Sequence, residues 1–400
     1  MIKYNTRRWN PFLIAIPDIG IGMFWSLTGT VGSWIAYQYT DSSLLVGLLL
    51  SMAAFTGLFM QTIAGIVSDK TSSNKFLGKR TTWVLLGLFA TCFFQMLWPF
   101  ANSYFTLFII AFLTYSSINF YQGPYYTMVV EVVDKDQIPF ATLLARTTAQ
   151  IGTIIIGLFS AYIWSLGGAK LTCIFICILL IIPTISVIPF LVKERPENQI
   201  TSSFKLSFDI FNNKNINYLF LATFCILTGF GAFMPMMGGY MNHYLGFSKS
   251  FTASLVMFFG IGSVVVGIFT TFFINSIKVC SLFKVGTIVF AVSIFLSSFL
   301  TTETYLWYVI TLAIATGFIL SQVCCYTLIA QLAPTDRLGE YMGWLNMFFS
   351  LPQLIILIFG GLLIDNGFAP YLYITASIIL LIGFVAVMQI KLPTTIHQES

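Results

Sequence analysis

Charge is what this sequence has least of. Only 8% of its 400 residues are Asp, Glu, Lys or Arg, where a soluble domain has roughly 25%. So few charges cannot clothe a water-facing surface, which excludes an ordinary soluble fold. Histidine is equally scarce: His243 and His397 are the two present, too few and too far apart for a metal centre. The seven cysteines lie almost entirely within apolar stretches, with neither metal-ligand spacing nor paired extracellular loops, and read as small hydrophobes. There is no His-Glu-x-x-His, no Gly-x-Ser-x-Gly and no phosphate-binding loop, since Gly78-Lys79-Arg80 lacks both the preceding spacing and the following hydroxyl. These absences point away from an enzyme and from any cofactor or metal.

Apolar residues make up 58% of the chain, and they come in blocks of about 20 parted by short polar breaks, the length that crosses a ~30 Å hydrocarbon core as α-helix. Barrel strands would be roughly half as long and would alternate in polarity. The spacing predicts an all-α integral membrane protein of about twelve spans: 12–38, 44–66, 82–101, 103–129, 140–165, 169–192, 216–241, 250–275, 283–301, 304–331, 339–363 and 369–390. With the N-terminus inside, all of the 19 basic residues except Lys170, Lys249 and the in-span Arg146 fall on the cytoplasmic side, the bias that orients bacterial and plasma-membrane proteins. Both termini are thus expected in the cytoplasm of an inner or plasma membrane. The net charge of +5 is a topology signal, with lipid rather than nucleic acid as the partner. Lys3, Arg7 and Arg8 precede an apolar run without a small-residue cleavage site, as in an uncleaved first helix. Trp83, Trp98 and Trp307, near span ends, are expected to be interface anchors.

The longest break divides the chain into six-helix bundles at 1–192 and 216–400 joined by a cytoplasmic linker, 193–215, whose aromatic run Phe204–Phe211 is read as part of that linker. At an offset of 200 the halves repeat weakly. Leu27-Thr28-Gly29 matches Leu227-Thr228-Gly229, Gln122 matches Gln322, Tyr126-Thr127 matches Tyr326-Thr327, and Asp136 matches Asp336. A duplicated bundle places a site between its copies at mid-membrane.

After the second span comes Gly65-Ile66-Val67-Ser68-Asp69-Lys70, then Gly78-Lys79-Arg80. Gly65 is expected to let the helix end approach its neighbour closely. Asp69 is placed to pair at a helix end, and Lys79 and Arg80 to anchor the loop at the lipid surface. In this position the segment resembles the signature loop of the major facilitator superfamily. Two further stretches, Gln122-Gly123-Pro124-Tyr125 running to Asp134-Lys135-Asp136-Gln137, and Pro334 to Gly343 with Asn346 and Pro352-Gln353, resemble its sucrose-transporter-like and glycoside–cation symporter branches. The resemblance implies two pseudo-symmetric bundles rocking about a central site, a gating role for Gly65, Asp69, Lys79 and Arg80, and a sugar or glycoside as substrate.

A charge within a span costs several kcal/mol and is usually paired, hydrated or functional. Asp18 and Arg146 are the two clear cases, each about six residues into its helix, or roughly 9 Å deep. They read either as a coupling pair, Asp18 taking up a proton or cation while Arg146 stabilises its charge or touches substrate, or as a structural pair locking the first helix to the fifth. Hydroxyls want amide partners and a pyranose face stacks on aromatic rings. Trp25, Gln122, Tyr126, Gln150, Gln322, Asn346 and Gln353 are the candidate substrate contacts, against a packing role for each alone. The expected function is proton- or cation-coupled symport of a small polar solute by alternating access. Proton-driven export of amphipathic compounds, and a receptor or scaffold that no longer transports, are the alternatives.

Overall fold

The computed structural model describes residues 8–71, 78–134, 137–191, 207–273, 278–334 and 337–391. Among them, eleven helices are long and apolar enough to cross a membrane. In the first half these are α1 (Asn10–Ala36), α2 (Ser43–Asp69), α3 (Arg80–Phe100), α4 (Tyr104–Val129) and the stretch Phe140–Phe190. Its 51 residues would reach about 76 Å as one rod, more than twice the hydrocarbon thickness. It does not run straight. Gly167 and Gly168 leave the helical region, and Gly168 takes φ 56°, a conformation glycine adopts without penalty. Gly20 of α1 abuts Leu179 and Leu180 while Gly22 abuts Ala149, so residues 149 and 180 stand at the same height and the chain doubles back into α5 (140–166) and α6 (169–190). The second half supplies α7 (Lys214–Tyr244), α8 (Lys249–Thr270), α9 (Val279–Ser297), α10 (Leu306–Leu332), α11 (Glu340–Asp365) and α12 (Pro370–Gln389). Twelve passes leave Arg8 and Lys391 at one end of the molecule, the near end; α1 runs from it to the far end.

The observed spans track the hydropathy blocks, with one shift. The ninth begins at Val279 rather than 283, since a half-buried lysine, here Lys284, is tolerated within the first turns of a helix where its long apolar stem can pack. Two of the three tryptophans expected as membrane anchors are structural instead. Trp98 and Trp307 are buried, their indole N–H groups donating to Thr114 Oγ1 at 2.9 Å and to the Thr302 carbonyl at 3.2 Å. Half-buried Trp83 donates to Thr71 Oγ1 at 2.8 Å. A buried indole N–H usually finds an acceptor, and here neighbouring threonines and carbonyls provide it.

The bundles meet along α1–α7, α2–α11 and α5–α8, and glycine permits each contact. A Cβ on Gly29 would lie 2.4 Å from the Met234 carbonyl oxygen, one on Gly47 2.2 Å from that of Leu357, and one on Gly157 2.2 Å from Met257 N. Where α1 and α7 touch, both widen into π-helical turns, Thr28–Gly32 and Gly238–Tyr244. Such turns concentrate at functional sites.

Of the linker, residues 192–206 lie outside the described residues, as do Asp136, Asp336 and 274–277. Its visible end, Phe208–Asn212, is a 3-10 turn. Phe211 packs on Trp344 at 4.9 Å and on Phe220 at 6.0 Å. Arg337 grips both oxygens of Asp209 at 2.8 Å, and these hydrogen bonds hold the Asp209 carboxyl well below the usual carboxylate range. The linker's end is thereby fixed to the second bundle.

Candidate functional site

A cavity of about 290 Å³ lies between the bundles. Asp18, Trp25, Gln122, Tyr126, Arg146, Gln150, Gln322, Asn346 and Gln353 all line it, so the polar positions singled out along the sequence converge. The seam between α1 and α5 explains how the two charged residues reach it. Added Cβ atoms on Gly22 and Gly152 would lie 1.9 Å from the Ala149 carbonyl and 2.0 Å from that of Ile19, so the two backbones touch. Ser26 and Thr153 share a 2.6 Å hydrogen bond, and Thr148 Oγ1 donates to the Ala15 carbonyl at 2.8 Å.

Asp18 is buried. Tyr125 Oη lies 2.6 Å from Asp18 Oδ2 and 2.6 Å from the Ile14 carbonyl oxygen. A phenol has one hydrogen, so it cannot serve both acceptors at full strength. Arg146 contacts Tyr126 twice: Nη1 donates to the hydroxyl at 3.3 Å, and the guanidinium carbon stands 4.8 Å from the ring centroid. Across the bundle interface the same guanidinium stands 5.5 Å from the Tyr326 ring. Among the described residues no direct ion pair joins Asp18 to Arg146; they share the cavity without touching.

Two lining residues outside the sequence selection, Gln61 and Asn119, organise the first-bundle wall. Gln61 Nε2 donates to Asn119 Oδ1 at 2.9 Å and to Gln122 Oε1 at 3.2 Å. Gln122 Nε2 passes the chain to the Tyr126 hydroxyl at 3.2 Å, and Asn119 Nδ2 anchors it on Thr56 Oγ1 at 3.0 Å. Asn119, Gln122 and Tyr126 follow helical spacing on α4, the signal that could have found Asn119. The opposing wall is different in kind, with Phe230, Phe259, Phe318 and Phe349 beside Gln322, Asn346 and Gln353. Phe230 and Phe318 stack at 4.4 Å. Amides and one charge of each sign on the first bundle thus face a surface that mixes aromatic rings with three further amides.

At the far end Asp365 closes the bundles on each other. Its carboxylate accepts from the backbone N–H of Ser43 at 2.5 Å and Leu44 at 3.0 Å and from Ser42 Oγ at 2.7 Å, capping the first turn of α2 from across the interface. Trp34 Nε1 donates to Asn242 Oδ1 at 2.7 Å, Tyr37 stacks on His243 at 4.2 Å, and Lys249 Nζ stands 4.4 Å from the Trp164 ring. Because an anionic cap satisfies helix-end donors that a neutral one holds less strongly, Asp365→Asn is expected to loosen this end. Its measure is the reactivity of a cysteine placed at Ser33 toward a polar maleimide, which should rise several-fold.

The signature loop forms a cluster at the near end. Arg80, 2% exposed, donates to Glu131 through Nε at 2.9 Å and Nη2 at 2.8 Å, to Asp69 at 2.7 Å and to Ser68 Oγ at 2.7 Å. Arg80 therefore reaches inward rather than anchoring the loop at the lipid surface. The Lys79 side chain lies outside the described residues. The expected close approach at Gly65 is not made, since nothing would lie within 4 Å of a Cβ there. The tight contact between α2 and α4 falls instead at Gly123, 2.4 Å from the Gln61 carbonyl by the same measure. α4 brings its own missing side chain to that seam, so α2 need not.

A family model, that of the major facilitator superfamily, matches residues 19–215 and 219–399. No curated protein matches the sequence. Among solved structures, the nucleoside transporter NupG is similar at a TM-score of 0.72 over 95% of this chain and 99% of that one, with 14% identity. At that identity the likeness is one of fold.

Proposed function

The chain belongs to the major facilitator superfamily, which makes it a multi-pass membrane transporter rather than an enzyme, and on that premise we propose that it is a proton-coupled symporter of a neutral, hydroxyl-bearing solute. The near end is the cytoplasmic one on this reading, from the distribution of basic residues. The observation that carries the proposal is the composition of the cavity: one carboxylate, Asp18, and one guanidinium, Arg146, whose charges balance, among neutral amides, hydroxyls and aromatic rings. Neutral amides suit a neutral solute, and a single buried acid suits a single transported proton.

Tyr125 supplies a mechanism for the coupling. When Asp18 is ionised, the phenol hydrogen serves the carboxylate; when Asp18 is protonated, the carboxyl can donate to the phenol oxygen and the phenol hydrogen turns to the Ile14 carbonyl. Both states stay hydrogen-bonded, which matters in a water-poor interior where an unpaired polar group costs roughly 1–3 kcal/mol. The solute's hydroxyls would be met by Gln122, Gln150, Gln322, Asn346 and Gln353, and its apolar face by Trp25 and the phenylalanines opposite.

A sugar or glycoside is the leading solute class, and a nucleoside, which pairs a ribose with a flat base, suits the same two walls and is what NupG carries by name. Proteoliposome uptake of labelled sugars, glycosides and nucleosides with an imposed inward proton gradient separates the classes. One class should accumulate only with the gradient. Accumulation of none, by folded protein, would sink the proposal. The wall of Phe230, Phe259, Phe318 and Phe349 favours a second reading, export of amphipathic compounds, for which gradient-driven extrusion of a lipophilic dye is the decisive readout.

A further inference from the structure

We propose that Tyr326 is the gate residue closing the near side of the cavity, by holding the Arg146 guanidinium against Tyr126 across the bundle interface. The inference rests on the transport reading of the cavity and deepens it. Arg146 belongs to the first bundle and Tyr326 to the second, and the guanidinium carbon stands 4.8 Å from the Tyr126 centroid and 5.5 Å from that of Tyr326. A cation within about 6 Å of a ring face is attracted by its quadrupole, and more strongly where water is excluded. Phe349 stacks behind Tyr326 at 5.2 Å and 22°, which steadies its ring.

The position is that of a floor. Tyr126, Arg146 and Tyr326 lie roughly 5–9 Å from the near ends of α4, α5 and α10 at 1.5 Å per residue, whereas other lining residues such as Trp25, Leu227, Phe230 and Leu357 are deeper. The hydrogen bonds at the far end, made by Asp365 and by Trp34, are distant from it. Tyr126 and Tyr326 occupy equivalent positions of the two halves, 200 residues apart. The duplication thus presents a matched pair of rings to one arginine. Any rotation that parts the bundles on the near side must draw Tyr326 away while Tyr126, hydrogen-bonded to Arg146 and Gln122, stays with the first bundle. A solute that takes Arg146's exposed face competes with Tyr326 for it, so that binding favours near-side opening.

The gate is tested without solute. Ser350, a cavity-lining residue of α11 beyond the floor, is replaced by cysteine, and its reaction rate with a polar maleimide is followed in purified protein in nanodiscs. Tyr326→Leu should raise the rate by about 2- to 30-fold, the range for a contact of this class. Tyr326→Phe, which keeps the ring, should not. Arg146→Gln should raise it as much as Tyr326→Leu, and the double variant no further. Equal rates in Tyr326→Leu and the parent, or additive effects, overturn the gate, as does a rise in Tyr326→Phe matching that in Tyr326→Leu. Failure of every solute to accumulate or to slow the labelling would count against the transport reading and leave the gate standing.

Discussion

Asp18→Asn is expected to equilibrate solute without concentrating it. A one-proton symporter under a gradient of two pH units can accumulate a neutral solute up to about 100-fold, because each unit is worth 1.36 kcal/mol; the variant should stop at a ratio of about 1. Asparagine resembles the protonated carboxyl in shape, and its amide N–H can donate to the Tyr125 oxygen that sits 2.6 Å from Asp18. The cavity is expected to keep its geometry, and exchange of labelled for unlabelled solute should continue in both directions. Accumulation that persists in Asp18→Asn would remove Asp18 from the coupling path and leave it the structural role.

The second large effect concerns stability. Arg80 is buried and brings together Asp69 at the end of α2, Glu131 beyond α4 and Ser68. Arg80→Ala leaves Glu131, largely buried, and the more exposed Asp69 without their shared cation; breaking a fully buried pair costs about 3–5 kcal/mol, and the water that reaches Asp69 places this change at or below the low end. A fall in unfolding temperature in detergent is expected. Arg80→Lys should recover only part of it, since an ammonium cannot reproduce the paired hydrogen bonds to Glu131. A variant melting with the parent would show that the cluster contributes nothing to the folded state and serves only a change of conformation.

The helices were legible because lipid forces backbone hydrogen bonds inside each span and leaves apolar length as the signal. The hairpin at Gly167 was readable for the same reason, a polar and glycine break between two blocks. The cavity lining was legible in part: a polar residue such as Gln322 or Asn346 within an apolar helix has few other places to face. Gln61 and Asn119 offered the same signal and were passed over, since polarity alone does not say which residues bond to one another. Equal depth suggested a pairing of Asp18 with Arg146, but depth leaves the angle about each helix axis undetermined. Tyr326 was visible only as a match in the repeat, and its contact with Arg146 depends on how the two bundles close. Trp98 and Trp307 were misread because position along a helix does not reveal which face meets lipid.

Asp18 and Arg146 ride on the same bundle, and this has an electrical consequence. If the carrier couples a neutral solute to one proton at Asp18, its empty form, with Asp18 ionised, moves one negative and one positive charge together through the field, a displacement that nearly cancels. With Asp18 protonated and a neutral solute aboard, Arg146 alone moves, and one elementary charge crossing 100 mV is worth about 2.3 kcal/mol. Membrane potential would therefore bear on the loaded step and hardly on the return.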